Sequence, residues 1–144
     1  MTIRNLSAIF EPRSVVLVGA SNREGSVGYW LARNLIGGGF EGPVHFVNPK
    51  GEEVAGKQCL TSVGELPDGV DLAVIATPAR VVPETVEALA GKGVRGVVGI
   101  TAGLEAAAKQ RVLDASQPTC LRTSGPNCLG ILLPGIGLNA SFSL

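Results

Sequence analysis

The chain has one histidine, His45, among 144 residues, which excludes a metal centre built on several imidazoles. Its three cysteines, Cys59, Cys120 and Cys128, are odd in number and never fall in C-x-x-C spacing. That argues against a structural zinc site or a disulfide framework and fits a reduced, cytoplasmic setting. Aromatic residues make up only 4%, leaving few platforms on which single-stranded bases could stack. Neither sign of charge is in excess, with 12 basic against 12 acidic residues, and no basic stripe offers a phosphodiester footprint. No apolar run reaches the length of a membrane span, and the N-terminal MTIRNLSAIF lacks a signal-peptide core. Neither nucleic acid nor membrane is an expected partner.

What is present is a globular composition, 45% hydrophobic and 17% charged, in a length that suits one domain over residues 1–144. The most informative stretch is SVVLVGASNREGSVG, Ser14 to Gly28. Its apolar start reads as a strand buried on both faces of a parallel sheet. Gly19, Gly25 and Gly28 follow, and then YWLARNLI, in which Val27, Leu31 and Leu35 share a helical face. Strand, glycine-rich turn and helix together aim backbone N–H groups and a helix N-terminus at a phosphate. The glycines do not have the G-x-G-x-x-G spacing, so the loop is longer than in a dinucleotide fold. A βα turn that needs glycine only for positive φ and close packing has the same pattern.

The remaining chain alternates in the same way. Leu6, Ile9 and Phe10 form a short amphipathic turn ahead of the first strand, and Val44–Val47 is the second strand. His45 within it reads as a packed or edge side chain rather than a catalyst. A short strand is expected near Lys57–Leu60, and Ser62 with Glu65 has capping-box spacing. Asp71–Ala76 is the third strand, and a helix carrying Val82, Val86 and Leu89 follows. Gly96–Thr101 is the fourth strand, Glu105–Ala115 a helix, and Thr119–Arg122 a shorter fifth strand. The apolar end, GILLPGIGLNASFSL, is given no element. The fold expected is α/β, a Rossmann-like doubly wound parallel sheet of about five strands. Its ligand belongs beyond the carboxyl ends of the strands, in a cleft lined by the five turns there.

The end of the second strand bears on ligand choice. An NAD site wants a carboxylate about 20 residues past the glycine turn, but Asn48-Pro49-Lys50 stands there and the first carboxylate is Glu52. A lysine suits a ribose carrying a phosphate, as in coenzyme A or NADP, and Arg23 can add a second charge-assisted contact. Spacing alone leaves Lys50 equally readable as a solvated loop lysine. NADP chemistry would need an acid or base over a substrate, and no such group is evident.

Taken together, SVVLVGASNREGSVGY, GPVHFVNPK, DLAVIATPA, ITAGLE and GPNCLGILLP resemble the N-terminal CoA-binding domain of NDP-forming acyl-CoA synthetases. The same domain opens the succinyl-CoA synthetase α subunit. The tail LLPGIGLNASFS resembles most the bacterial branch in which such a body is fused to a GNAT acetyltransferase domain. The resemblance covers nearly the whole chain and implies coenzyme A or an acyl-CoA as ligand. It places the CoA phosphates at Gly19, Ala20, Ser21, Arg23, Ser26, Val27 and Gly28. It places the 3′-phosphate end at Asn48, Pro49 and Lys50, with adenine and pantetheine bordered by Thr77, Pro78, Ala102 and Gly103.

The family's phosphorylated histidine and its ATP-grasp lobe lie beyond this domain, and His45 is in the wrong place to substitute. Cys128, with no histidine near it in sequence, reads as a small residue in a packed turn. The chain is thus expected to hold the coenzyme half of an active site, to have no catalytic residue of its own, and to work with downstream ligase domains. A free-standing CoA-binding regulatory module and an NADP-binding oxidoreductase domain are the alternatives. The ending Phe142-Ser143-Leu144, without a charged or capping residue, favours a piece of a larger synthetase.

Overall fold

A computed structural model describes residues 5–142. Ser143 and Leu144, on which the reading of the C-terminal end partly rests, lie outside the described residues, as do the first four residues of the N-terminus. Five parallel strands form the centre: β1 (Val15–Val18), β2 (Val44–Val47), β5 (Leu72–Ile75), β6 (Gly96–Gly99) and β7 (Arg122–Ser124). Their order is β2-β1-β5-β6-β7. The chain steps from β1 to β2 on one side and returns to β5 on the other, so the strand order reverses between β1 and β5. That reversal opens a crevice above the carboxyl ends of these two strands. A two-stranded hairpin, β3 (Glu53–Val54) with β4 (Lys57–Gln58), follows β2.

Successive residues of β1 enter different cores, as a period of two requires. Val15 and Leu17 pack with Phe46, Leu72 and Val74 under helix α2 (Val27–Gly37), whose Leu31, Ala32 and Leu35 are buried. Val16 and Val18 pack with Ala73, Ile75 and Val97 under helices α3 (Val82–Gly91) and α4 (Ala106–Ser116). Leu17, Leu31, Leu72 and Leu89 are wholly buried, each contributing about 1.5–3 kcal/mol by removal from water. The sheet is covered on both faces, as the unbroken apolar strands imply. The N-terminal turn is helix α1 (Ser7–Phe10), which buries Ile9 and leaves Phe10 exposed. Gly96 makes room for it: a Cβ there would stand 3.0 Å from Cγ1 of Ile9.

Three expectations shift. The fifth strand is Arg122–Ser124 rather than Thr119–Arg122, because residues 117–120 continue as turn after α4. Ser62 precedes a short 3-10 turn, but its side chain caps nothing; Glu65 binds the hydroxyl of Thr61 instead. Val27, expected on the buried face of α2, is exposed at the helix N-terminus. The apolar end is an antiparallel hairpin, β8 (Gly130–Leu133) and β9 (Leu138–Ser141). Leu138 and Ala140 join the core beneath α2, and Asn34 of α2 donates to the Ser141 carbonyl at 2.8 Å. Among the described residues no helix is long and apolar enough to cross a membrane.

Candidate functional site

The turn after β1 is built by its own side chains. The Gly19 N–H donates to the Val47 carbonyl at 3.0 Å, fixing the strand end before the turn. Gly19 has φ +105°, and a Cβ would meet the Ala76 carbonyl carbon at 2.8 Å and the Thr77 nitrogen at 3.0 Å. Only glycine allows the ends of β1 and β5 to approach this closely. The Ser21 hydroxyl accepts the Arg23 N–H at 3.0 Å, and the Ser26 hydroxyl caps α2 by accepting from Tyr29 at 3.2 Å. Gly28, in the first turn of α2, lies so close to the Gly19 carbonyl oxygen that a Cβ would overlap it. The glycines thus serve close helix–loop packing.

This packing leaves donors open. Among the described residues the N–H groups of Ala20, Ser21, Val27 and Gly28 donate to no group of the chain. They are the orphan donors of a turn and a helix N-terminus, where the helix dipole also favours negative charge. They border a cleft of about 860 Å³ above the β1–β5 reversal. Of the residues implied by sequence, Gly19, Ala20, Ser21, Arg23, Ser26, Val27, Gly28, Pro49, Thr77, Pro78 and Ala102 line it. Asn127 and Cys128 line it as well, so the turns after all five strands of the sheet are brought together there.

Asn48, Lys50 and Gly103 do not line the cleft. Asn48 is buried; its amide donates to the Ala20 carbonyl at 2.8 Å and to Glu52 at 3.2 Å, while its side-chain oxygen accepts the Lys50 N–H at 2.7 Å. It ties the end of β2 to the glycine turn. Lys50 and Gly103 are exposed, each one residue beyond a lining residue.

The cleft has members that the sequence reading passed over. Arg80, in the 3-10 turn between β5 and α3, lines it, as do Leu129 and Phe142 of the C-terminal hairpin region. Arg80 stands two residues past Thr77-Pro78, so a cation just after a strand-end turn was the available signal. Leu129 and Phe142 had none, because the hairpin that carries them was not foreseen. The fourth wall is clipped in place by Thr101, whose hydroxyl donates to the Thr77 carbonyl at 2.7 Å and whose carbonyl accepts the Asn127 N–H at 3.0 Å. The Thr77 hydroxyl oxygen is buried and has no partner among the described residues.

The remaining reactive groups are quiet. Cys128 is half-buried in its turn and donates to the Gly99 carbonyl at 3.3 Å. It also lines the cleft. Cys59 is buried, and burial first, then the Glu52 carboxylate, push its thiol up, against a hydrogen bond from the Val54 backbone. His45 lies on β2, an edge strand, where burial and then the Lys57 ammonium lower its pKa from the ordinary 6.5. Among the described residues no group of three or more His, Cys, Asp or Glu is placed to hold a metal ion.

Residues 13–134 match the model of a family described as a CoA binding domain. The chain is 41% identical over 142 residues to the ADP-forming acetate–CoA ligase of Methanocaldococcus jannaschii, covering 96% of this chain and 20% of that protein. It is 38% identical to subunit alpha of the ADP-forming acetate–CoA ligase I of Pyrococcus furiosus, covering 96% of this chain and 32% of that one. A solved structure of Ca. Korarchaeum cryptofilum dinucleotide-forming acetyl-coenzyme A synthetase 1, in complex with phosphate and ADP, superimposes with a TM-score of 0.90. The identity is 32%, over 96% of this chain and 31% of the other. The chain spans about a fifth to a third of the length of these relatives. With a five-stranded Rossmann-like sheet, a glycine-rich turn at its reversal and a match over most of its length, the chain belongs to the CoA binding domain family.

Proposed function

We propose that this chain binds coenzyme A, or an acyl-CoA, as the N-terminal domain of an ADP-forming acyl-CoA synthetase of the acetate–CoA ligase type. The observation that carries the reading is the cleft at the strand reversal, with orphan N–H groups on one wall and the Thr77-Pro78 turn on another. Its residues fit the group. The glycine turn and the start of α2 face phosphate, and Thr77, Pro78 and Ala102 border the less charged parts of the ligand. Lys50, exposed beside Pro49, is within the segment we assign to the 3′-phosphate, and Asn48 holds that segment against the turn.

In this reading the domain fixes the coenzyme, and its thiol is presented to chemistry performed by other domains of a parent protein. Those domains would supply the phosphorylated histidine and the nucleotide lobe. A parent in which this domain is fused to a GNAT acetyltransferase domain would keep this site as a separate coenzyme site, and its setting would be cytoplasmic. A single domain over residues 1–144 is part of the proposal. Calorimetry with the whole chain tests it: CoA and acetyl-CoA bind with measurable heat, and NAD shows no comparable binding. NAD binding tighter than CoA would defeat the assignment.

A further inference from the structure

We propose that Arg80 is a ligand-binding residue of this cleft and, with Arg23 on the facing turn, grips the phosphate chain of the coenzyme. The inference rests on the coenzyme reading above and says which side chains supply the charge. Among the described residues the cleft is lined by two charged side chains, Arg23 and Arg80, and by no aspartate or glutamate. Neither arginine forms an ion pair with a described residue, whereas Arg95 and Arg111 are paired with Asp71 and Glu87.

The two come from different sides of the strand reversal. Arg23 is in the turn between β1 and α2, and Arg80 is in the 3-10 turn between β5 and α3. A diphosphate lying over the α2 N-terminus would have a guanidinium approaching from each flank, with the orphan N–H groups of Ala20, Ser21, Val27 and Gly28 beneath it. A guanidinium offers planar paired donors, a geometry that matches two phosphate oxygens at once. Lys50 does not line the cleft, so the side-chain charge within it is that of the two arginines.

Dephospho-CoA separates the two roles, since it keeps the phosphate chain and lacks the 3′-phosphate. In calorimetry on the whole chain, Arg80→Gln weakens CoA and dephospho-CoA alike, each by about tenfold, the loss of one charge-assisted contact. Its thermal midpoint stays that of the wild type, because the side chain is exposed. Lys50→Ala leaves dephospho-CoA unchanged. Undiminished CoA binding by Arg80→Gln overturns the assignment, as does a loss confined to CoA. An equal loss of dephospho-CoA on Lys50→Ala also overturns it, because any nearby cation would then serve. Failure of the wild-type chain to bind CoA is a different result: it defeats the coenzyme reading itself, and the arginine pair with it.

Discussion

The two ends of the central sheet are built from similar groups used in opposite ways. At the amino ends, Asp71 is buried and binds the Arg95 guanidinium, accepts the Arg13 N–H at 2.8 Å, and has its own N–H accepted by the Ser14 hydroxyl at 3.0 Å. Charge there is matched inside the chain. At the carboxyl ends, Arg23 and Arg80 have no ion pair among the described residues, four N–H groups have no acceptor, and the Thr77 hydroxyl is alone. A satisfied end holds strands together; at the other end the open groups are hydrated and can exchange that water for a ligand. The contrast supports the proposed binding at the carboxyl ends and assigns structural support to the amino ends.

The sharpest test is Gly28→Val. Its Cβ would overlap the Gly19 carbonyl oxygen, which belongs to backbone that cannot swing aside. Urea unfolding is expected to show a loss of about 3 kcal/mol or more, the upper range for overpacking. A loss below about 1 kcal/mol would mean that the turn yields, and its N–H groups would then not be pre-set for an anion.

Asp71→Ala probes the other end. It strands the Arg95 guanidinium and the Arg13 N–H, but Arg95 is half-exposed and can be solvated. The expected loss is about 2 kcal/mol, less than for a fully buried pair. Coenzyme affinity of the folded protein should not move. A large affinity loss in this variant would break the division between the two ends.

The smallest effect concerns His45 on the edge strand. Its folded pKa is below the ordinary 6.5, first by burial and then by Lys57. The unfolded chain therefore binds this proton more readily, so stability is full above about pH 6.5 and falls as pH drops from there toward the lowered pKa. In His45→Gln that part of the pH slope should disappear from denaturant titrations, while coenzyme binding stays as it was. An unchanged slope would show that another group carries the titration.

The first four strands were legible in the chain because each is an apolar run closed by a turn; α2 and α3 repeat an apolar face, and α4 was legible from its alanine-rich composition. The fifth strand was misplaced because Thr119–Arg122 has β-favouring residues, but α4 ends in turns that consume residues 117–120 before pairing with β6 begins. The β8–β9 hairpin was passed over since its strands are four residues each, joined through Pro134, Gly135 and Gly137. Its stability comes from Leu138 and Ala140 packing under α2, a contact more than 90 residues away along the chain.

For the site, local pattern sufficed for the glycine turn, where Gly19 and Gly28 stand at positions that tolerate no Cβ. It also sufficed for the five strand-end turns, since a parallel sheet must gather them at one end. Residue by residue, only the tertiary structure decided. Asn48 and Lys50 are neighbours in a ligand-like motif, yet one is a buried brace and the other is exposed. Arg80 is an ordinary loop arginine in sequence, and the strand reversal sets it in the cleft that also contains Arg23. Sequence spacing determines which groups leave a strand end together. Which of them face one another across the crevice depends on strand order, and that order is set by long-range packing.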